Sequence, residues 1–342
     1  MKHPFLTDPG FGSATPGLCY SANSAVVEDA IRVGNVFAAN DGNLSASGLG
    51  LSQPLTEYAT GVRDRQNLQE VLDSIAPRVP TGAISFTYLN ETESEEFQKR
   101  TLAGITRPVH GEFPELHITG AQADGRCDNI GLVSYIDIDQ GGMLPQMQQA
   151  EVQRLRNIIL RSQIADALAK IDAAATADTS KNWGDSAANP DGDIREMIDT
   201  SGDASGEDAN VVVLGQGAFL KRAKAYEAAA RTNGGAKADF TPDQLRDFWQ
   251  VDDVVNLRAR YRSSATATTK MLDSTIYAYM AVPGLSKGDA SNVKRFTYLA
   301  AGGDLRVWIE VQSHRVKIIV DAYARTIITR STGIRKRAVT FS

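Results

Sequence analysis

Between Gln148 and Ala175 the side chains of Val152, Leu155, Ile159, Leu160, Ile164, Leu168 and Ile171 recur at mostly three- and four-residue spacings. That is the pattern of one apolar face on an α-helix. Arg154, Arg156, Arg161 and Lys170 are interspersed among them. At about 1.5 Å per residue the stretch makes a rod of roughly 40 Å, long for a globular helix. A helix of that length serves as a spine, so the remaining segments must be arranged around it.

The chain has 342 residues. At roughly 150 residues per domain this suggests two domains, or one large domain with insertions. Cys19 and Cys127 are too few for a disulfide scaffold and point to a reducing compartment. No apolar run approaches the roughly 20 residues needed to cross a bilayer. The opening MKHPFLTDPGFGSATPG lacks the apolar core of a signal peptide. Net charge is -5, unevenly spread: residues 311–342 hold Arg315, Lys317, Arg325, Arg330, Arg335, Lys336 and Arg337 against Asp321 alone, a net of +6, which leaves -11 on residues 1–310. Such polarity suits a surface that meets nucleic acid or an acidic protein, or a solvated strand face.

Residues 1–53, rich in Gly, Ser, Ala and Asn, read as an extended arm with a weak helix near Ala25–Arg32. Leu68, Val71, Leu72 and Ile75 predict a short helix stopped by Pro77. Ala83–Leu89 alternates as a strand, and Leu116–Thr119 and Leu132–Ile138 read as returning strands of a long hairpin. The far end of that hairpin carries Glu91, Glu93, Glu95 and Glu96, then Lys99 and Arg100. After the spine the chain turns polar, with Asn189-Pro190-Asp191-Gly192 marking a turn and a short helix hinted at Asp193–Asp199. Val211–Leu214 predicts a buried strand leading into a helix over Ala218–Arg231, and Thr241-Pro242 a helix start with Thr as N-cap. Strands follow at Val254–Ala259, Ser274–Val282, Val293–Ala300, Leu305–Val311, Arg315–Ala322 and Thr326–Arg330. The class is α+β.

Motifs for chemistry are sparse. Gly215-Gln216-Gly217 after a strand opens like a dinucleotide turn, but the third glycine falls on Leu220; glycines needed for backbone reasons explain it better. Gly284-Leu285-Ser286-Lys287-Gly288 matches a nucleophile elbow, and Asp304 and His314 follow in hydrolase order, so a serine hydrolase is the alternative from another class. The elbow needs a helix directly after the serine, and a strand-like segment follows instead. Asp199-x-Ser201-x-Asp203 begins like a calcium loop but lacks its glycine and closing glutamate. Asp137 and Asp139 share a strand face, and the four histidines have no metal-ligand spacing. No catalytic residue, cofactor or metal is expected.

The order of arm, long hairpin with an acidic end, spine helix, sheet-and-helix unit and basic closing strands resembles the major capsid proteins of tailed bacteriophages, the Hong Kong 97-type fold. Four phrases are similar to that family. They are Ile75-Ala76-Pro77-Arg78-Val79-Pro80 before the loop, Asn182-Trp183-Gly184-Asp185 with Pro190 and Asp193-Ile194, Asn210-Val-Val-Val-Leu-Gly215 with Phe219, and Tyr323 with Thr326-Ile327-Ile328. The resemblance implies an arm (1–53), a connector with a short helix (54–78) and an extended loop (79–132). It further implies a peripheral domain (133–192 and 312–342, spine 148–175) and an axial domain (193–311). The implied function is self-assembly, as hexamers and pentamers, into an icosahedral virion head around double-stranded DNA, without sequence-specific binding, membrane or catalysis. Assembly would take place in the host cytoplasm, with portal, scaffolding and decoration proteins as further candidate partners. A bacterial nanocompartment shell is the neighbouring alternative. Lys99 matches the lysine of the family's covalent cross-link, but residues 293–342 contain no asparagine, so a non-covalent shell is expected. Candidate intersubunit contacts are Glu91, Glu93, Glu95, Glu96 and Lys99 facing Arg315, Lys317, Arg335, Lys336 and Arg337 of a neighbour.

Overall fold

In the computed structural model, residues 49–62, 66–90, 107, 121–185, 187–229, 237–264, 266–282, 291–299 and 305–342 are described. The arm up to residue 48 and the acidic loop end, with Glu91, Glu93, Glu95, Glu96 and Lys99, lie outside them. Among the described residues the first elements are β1 (Leu49–Leu51), α1 (Gln53–Gly61), α2 (Leu68–Ile75), β2 (Arg78–Thr81), β3 (Ser85–Asn90), β4 (Ala121–Arg126) and β5 (Asp128–Asp137). The spine follows as α3 (Pro145–Ala174), then β6 (Thr176–Ala177), β7 (Lys181–Asn182) and α4 (Pro190–Ser205). Next come β8 (Val211–Gly215), α5 (Gln216–Ala229), α6 (Pro242–Trp249), β9 (Asp253–Leu257), β10 (Arg260–Arg262), β11 (Thr268–Lys270) and β12 (Thr275–Tyr279). The chain closes with β13 (Val293–Tyr298), β14 (Arg306–Val311), β15 (Arg315–Ile328) and β16 (Arg335–Thr340). No helix among the described residues is long and apolar enough to cross a membrane.

These elements form two compact units, one of residues 1–62, 130–156 and 300–322, the other of residues 63–129, 157–299 and 323–342. In the first, β14 lies between β1 and β15, and β5 also pairs β15. Val307 opposes Val320 and Ile309 opposes Ile318, so the inward side chains of β14 and β15 meet in register. The opposite face sets Arg306 across from Asp321 and Glu310 across from Lys317.

In the second unit the sheet runs β6-β16-β12-β8-β9, with β7 also on β16. Period-two alternation in β8 sends Val211 and Val213 to one face and Val212 and Leu214 to the other. On the first face they pack with Leu68, Leu72 and Ile75 of α2 and with Leu160, Ile164, Leu168 and Ile171 of α3. On the second they meet Ile194 and Met197 of α4, Ala218 of α5, and Leu245 and Trp249 of α6. Helices on both faces explain why β8 is apolar throughout. The α6 start is the predicted one: Thr241 and Gln244 form a reciprocal capping box.

Three expectations are corrected. Asn189-Pro190-Asp191-Gly192 is not a turn between elements but the first turn of a 16-residue helix, because the Asn189 side chain accepts from the Gly192 N–H and Pro190 sits in the first turn. Arg315–Ala322 and Thr326–Arg330 are not two strands; β15 is continuous from Arg315 to Ile328, each half having its own partner, β14 and then β13. The strand over Leu132–Ile138 does not return onto β3. Instead β4 pairs β3, where Gly125 lies against the Phe86 ring so closely that an added Cβ would come within 2.6 Å of it.

Gly215 and Gly217 have a comparable explanation. A Cβ at Gly215 would lie 2.2 Å from the Asp273 carbonyl oxygen, and one at Gly217 would lie 2.1 Å from its carboxylate. The glycines admit the Asp273 segment, not a phosphate. Asp199, Ser201 and Asp203 are in the body of α4, and the Ser201 hydroxyl donates to the Gly333 carbonyl. They form no calcium loop.

Candidate functional site

Of the basic tract singled out by charge, Arg335, Lys336 and Arg337 lie on β16, which is hydrogen-bonded to β12. Its cations have partners within their own chain. Arg335 donates to the Thr200 carbonyl at 3.1 Å and lies 3.5 Å from the Asp178 carboxylate. Lys336 pairs with Asp172, which also accepts from the Tyr277 hydroxyl at 2.5 Å. Arg337 is buried, donating to Glu196 at 3.1 Å and to the Asp193 carbonyl at 2.5 Å. Lys181 adds ion pairs of 3.3 Å to Asp193 and 3.5 Å to Glu196. The tract therefore stitches the last strand to α4 and to the segment after the spine.

Two carboxyls in this network are held below their ordinary range. Charge from Arg337 is the leading cause at Glu196, and a hydrogen bond from Lys336 the leading cause at Asp172. Carboxyls shifted down stabilise the fold above their ordinary values of 4.5 and 3.8, and the contribution is lost as pH falls through the folded values. Thermal stability is accordingly expected to decline as pH falls below about 4.5, more steeply in the native chain than in a Glu196→Gln, Asp172→Asn variant. Superimposable acid limbs in a melting series would remove this network as a source of the decline.

A second ionic centre escaped sequence reasoning. Arg222 of α5 and Asp191 of α4, 1% and 4% exposed, form a bidentate pair at 2.7 and 3.1 Å. The Trp249 indole donates to the same carboxylate at 3.3 Å, and the guanidinium donates to the Lys237 carbonyl at 3.0 Å. Tyr226 and Phe240 flank it at 5.1 and 5.7 Å from the ring centroids. Burial, reinforced by the Asp191 charge, pushes the Tyr226 hydroxyl up to about 12. The pair fastens α4, α5 and α6 to one another. Thirty-one residues separate the partners, with no periodic signal joining them.

In the first unit Asp321 accepts from the Arg306 guanidinium and from the Trp308 indole at 3.0 Å. Lys317 pairs with Glu310 at 2.9 Å, lifting the lysine and holding the carboxyl down. Arg315 is exposed, donates to Gln312 at 2.6 Å, and sits 4.4 Å over the Tyr135 ring. Beside it β5 turns Ile130, Leu132 and Ile136 inward, while Val133 and Tyr135 on its other face are 47% and 51% exposed. At the start of α3, Leu144 and Met147 are exposed as well. Of the predicted contact residues, the structure thus brings Arg335, Lys336 and Arg337 together and seats Arg315 and Lys317 beside the apolar β5 face.

Ser286 and Asp304 lie outside the described residues, and His314 is an exposed residue between β14 and β15 whose carbonyl accepts from the Ile138 N–H. Among the described residues the next element after Ser286 is strand β13. Cys127 is buried, hydrogen-bonded to Thr81 and the Phe296 carbonyl, and burial raises its thiol pKa. It is a core side chain.

No family model matches the sequence, and no curated protein matches it. Solved structures do. The virus-like particle from Pyrococcus furiosus covers 84% of this chain and 96% of its own at 11% identity, TM-score 0.47. The mature capsid of bacteriophage PhiM1 covers 79% and 86% at 11% identity, TM-score 0.46. A phage-related protein from Bordetella bronchiseptica RB50 covers 84% of this chain and 96% of its own at 13% identity, TM-score 0.62. The chain is a mixed α+β protein that shares the fold of this Bordetella phage-related protein over most of both sequences.

Proposed function

We propose that this chain is the major capsid protein of a tailed bacteriophage, a subunit of the Hong Kong 97 type. Copies of it assemble into an icosahedral shell around double-stranded DNA. The observation that carries the reading is the fold shared with a phage-related protein over 84% of the chain, joined to the order of elements along the sequence. On this reading residues 133–192 and 312–342, with α3 as the spine, form the peripheral domain, and residues 193–311, with β8, α5, α6, β9 and β12, form the axial domain. The role is structural, self-association replaces a substrate, and the virion is where the protein resides. The exposed Val133 and Tyr135 on β5 supply apolar surface of the sort that an assembling subunit covers with a neighbour.

Negative-stain microscopy and light scattering of the purified chain test the reading directly. Closed shells of uniform diameter are the expected result. A chain that stays monomeric at all concentrations and salt conditions would overturn it. Shells that form with protein cargo and never with DNA would move the assignment to a nanocompartment.

A further inference from the structure

The β16 cations and the Arg222 guanidinium are matched inside the chain. Among the described residues, two arginines at the base of the β3–β4 hairpin are not. In that hairpin Ser85 opposes Arg126 and Thr87 opposes Asp124. Directly opposed residues share a face, as do residues two apart on one strand, so these four side chains line one face. All four are exposed. Phe86 alternates to the other face, where its ring centroid lies 4.3 Å from that of Phe296 and anchors the hairpin. Arg325 of β15, also exposed, reaches the same place and donates to the Arg126 carbonyl at 3.4 Å. Arg126, Arg325, Ser85, Thr87 and Asp124 border a recess of about 820 Å³, within the roughly 300–1,000 Å³ of small-molecule sites.

Among the described residues neither the Arg126 nor the Arg325 guanidinium is in an ion pair, and neither the Ser85 nor the Thr87 hydroxyl is hydrogen-bonded. Asp124 is the carboxylate on the recess wall, and among the described residues no ion pair ties it to either arginine. Two like charges bordering one recess repel each other, and an anion between them removes the repulsion. The guanidinium fork matches the oxygens of either a carboxylate or a phosphate. The hydroxyls decide between the two. Two forks and two hydroxyls offer more donors than the two coplanar oxygens of a carboxylate can take, whereas a tetrahedral phosphate presents oxygens in several directions. Arg with Ser and Thr is also the side-chain set that contacts phosphate oxygens in nucleic-acid complexes.

We propose that this recess binds a phosphate group, with Arg126 and Arg325 as its cationic walls and Ser85 and Thr87 as further donors. The phosphate belongs to a nucleotide, free or within a nucleic-acid strand. Binding is reversible and electrostatic, and no bond of the ligand is made or broken. Asp124 opposes it, so the affinity is lower than the two arginines alone would give. All five residues belong to one chain and to one compact unit, so the site stands whether or not the chain assembles into shells.

The test uses the full-length chain with inorganic phosphate, thymidine monophosphate and a short, fluorescently labelled oligothymidylate as probes. Phosphorus NMR line broadening reads the first two, and fluorescence anisotropy reads the third. Arg126→Ser and Arg325→Ser should each weaken binding by about ten-fold, the worth of one hydrogen bond to a charged group. Asp124→Asn should strengthen it by about three-fold, the effect of removing a like charge some 6–7 Å away in water. Arg126→Lys with Arg325→Lys keeps the charge and loses the fork, so its affinity should fall between the native and serine values. Unchanged binding in the serine variants, weaker binding in Asp124→Asn, or displacement of the phosphate probes by glutarate at equal charge would each overturn the proposal. Tighter binding of the oligonucleotide than of the mononucleotide, at equal phosphate concentration, identifies a strand as the source of the phosphate. Equal or weaker binding identifies a free nucleotide. Circular dichroism of every variant should match the native chain, since each substituted side chain is exposed. If a serine variant unfolds, the gain in Asp124→Asn and the loss in the lysine variant still decide the matter.

Discussion

Arg222→Ala should destabilise the chain by about 3–5 kcal/mol, the largest effect of any single polar substitution considered. The reason is what remains. Removing the guanidinium leaves the Asp191 carboxylate, 4% exposed, with neutral groups such as the Trp249 indole and the Tyr226 hydroxyl to balance a buried charge. It also removes the cation flanked by Tyr226 and Phe240 and strips the Lys237 carbonyl of its donor. Arg222→Lys should recover only part of the loss, because an ammonium cannot repeat the bidentate geometry. Arg222→Met with Asp191→Leu should recover most of it, since replacing both members of a buried pair by apolar groups is often neutral. Denaturant unfolding reads all four proteins as shifts of the midpoint at constant slope. An Arg222→Ala loss below about 1 kcal/mol, or a double variant no better than the single, would show that the pair does not organise the three helices.

Trp183→Ala should cost a similar amount, about 3–5 kcal/mol. Trp183 is 1% exposed in the core formed with Ile194, Met197, Ala218 and Val339. Its indole donates to Asp193 at 2.9 Å and its backbone N–H to the Thr340 carbonyl at 2.9 Å, so it joins the start of α4 to the last strand. Trp183→Phe retains much of the volume and loses the indole donor. Asp193 still has Lys181 at 3.3 Å, so the phenylalanine variant should lose only about 1–2 kcal/mol. The ordering Ala well below Phe, and Phe below the native chain, is the expected result of a thermal or urea series. Equal losses for Ala and Phe would assign the effect to the hydrogen bond and not to the packing.

Much of the fold is legible because its signals are local. The spine announces itself through Leu160, Ile164, Leu168 and Ile171, and α6 through a cap completed within four residues. The strand β8 is equally plain, because both its faces are buried. What stayed hidden depends on partners far along the chain. Asn-Pro-Asp-Gly is compatible with both a turn and a helix start, and Ile194 and Met197 settle it only when β8 and α6 are present to receive them. The segment forming β4 contains no large apolar residue, and it becomes a strand because Gly125 fits against Phe86. The charge of the last tract misleads for the same reason: the residues that match Arg335 and Arg337, namely Asp178 and Glu196, stand 141 to 157 positions earlier. Sequence can count charges, but burial and pairing decide which of them are left to act on another molecule.

The first unit is drawn from three stretches that end at residues 62, 156 and 322, and β1 cannot find β14 until position 310 exists to oppose Leu49. At about 5–20 residues per second, synthesis separates the first stretch from the last by tens of seconds. Through that interval β5 has neither the neighbour it pairs with, β15, nor the Arg315 that lies over Tyr135. An apolar face suited to self-association is therefore finished late, when residue 322 has cleared the ribosome. That delay is a form of timing control: a nascent chain completes the β5 face only after most of its sequence has been made, and a chain terminated before β15 never completes it.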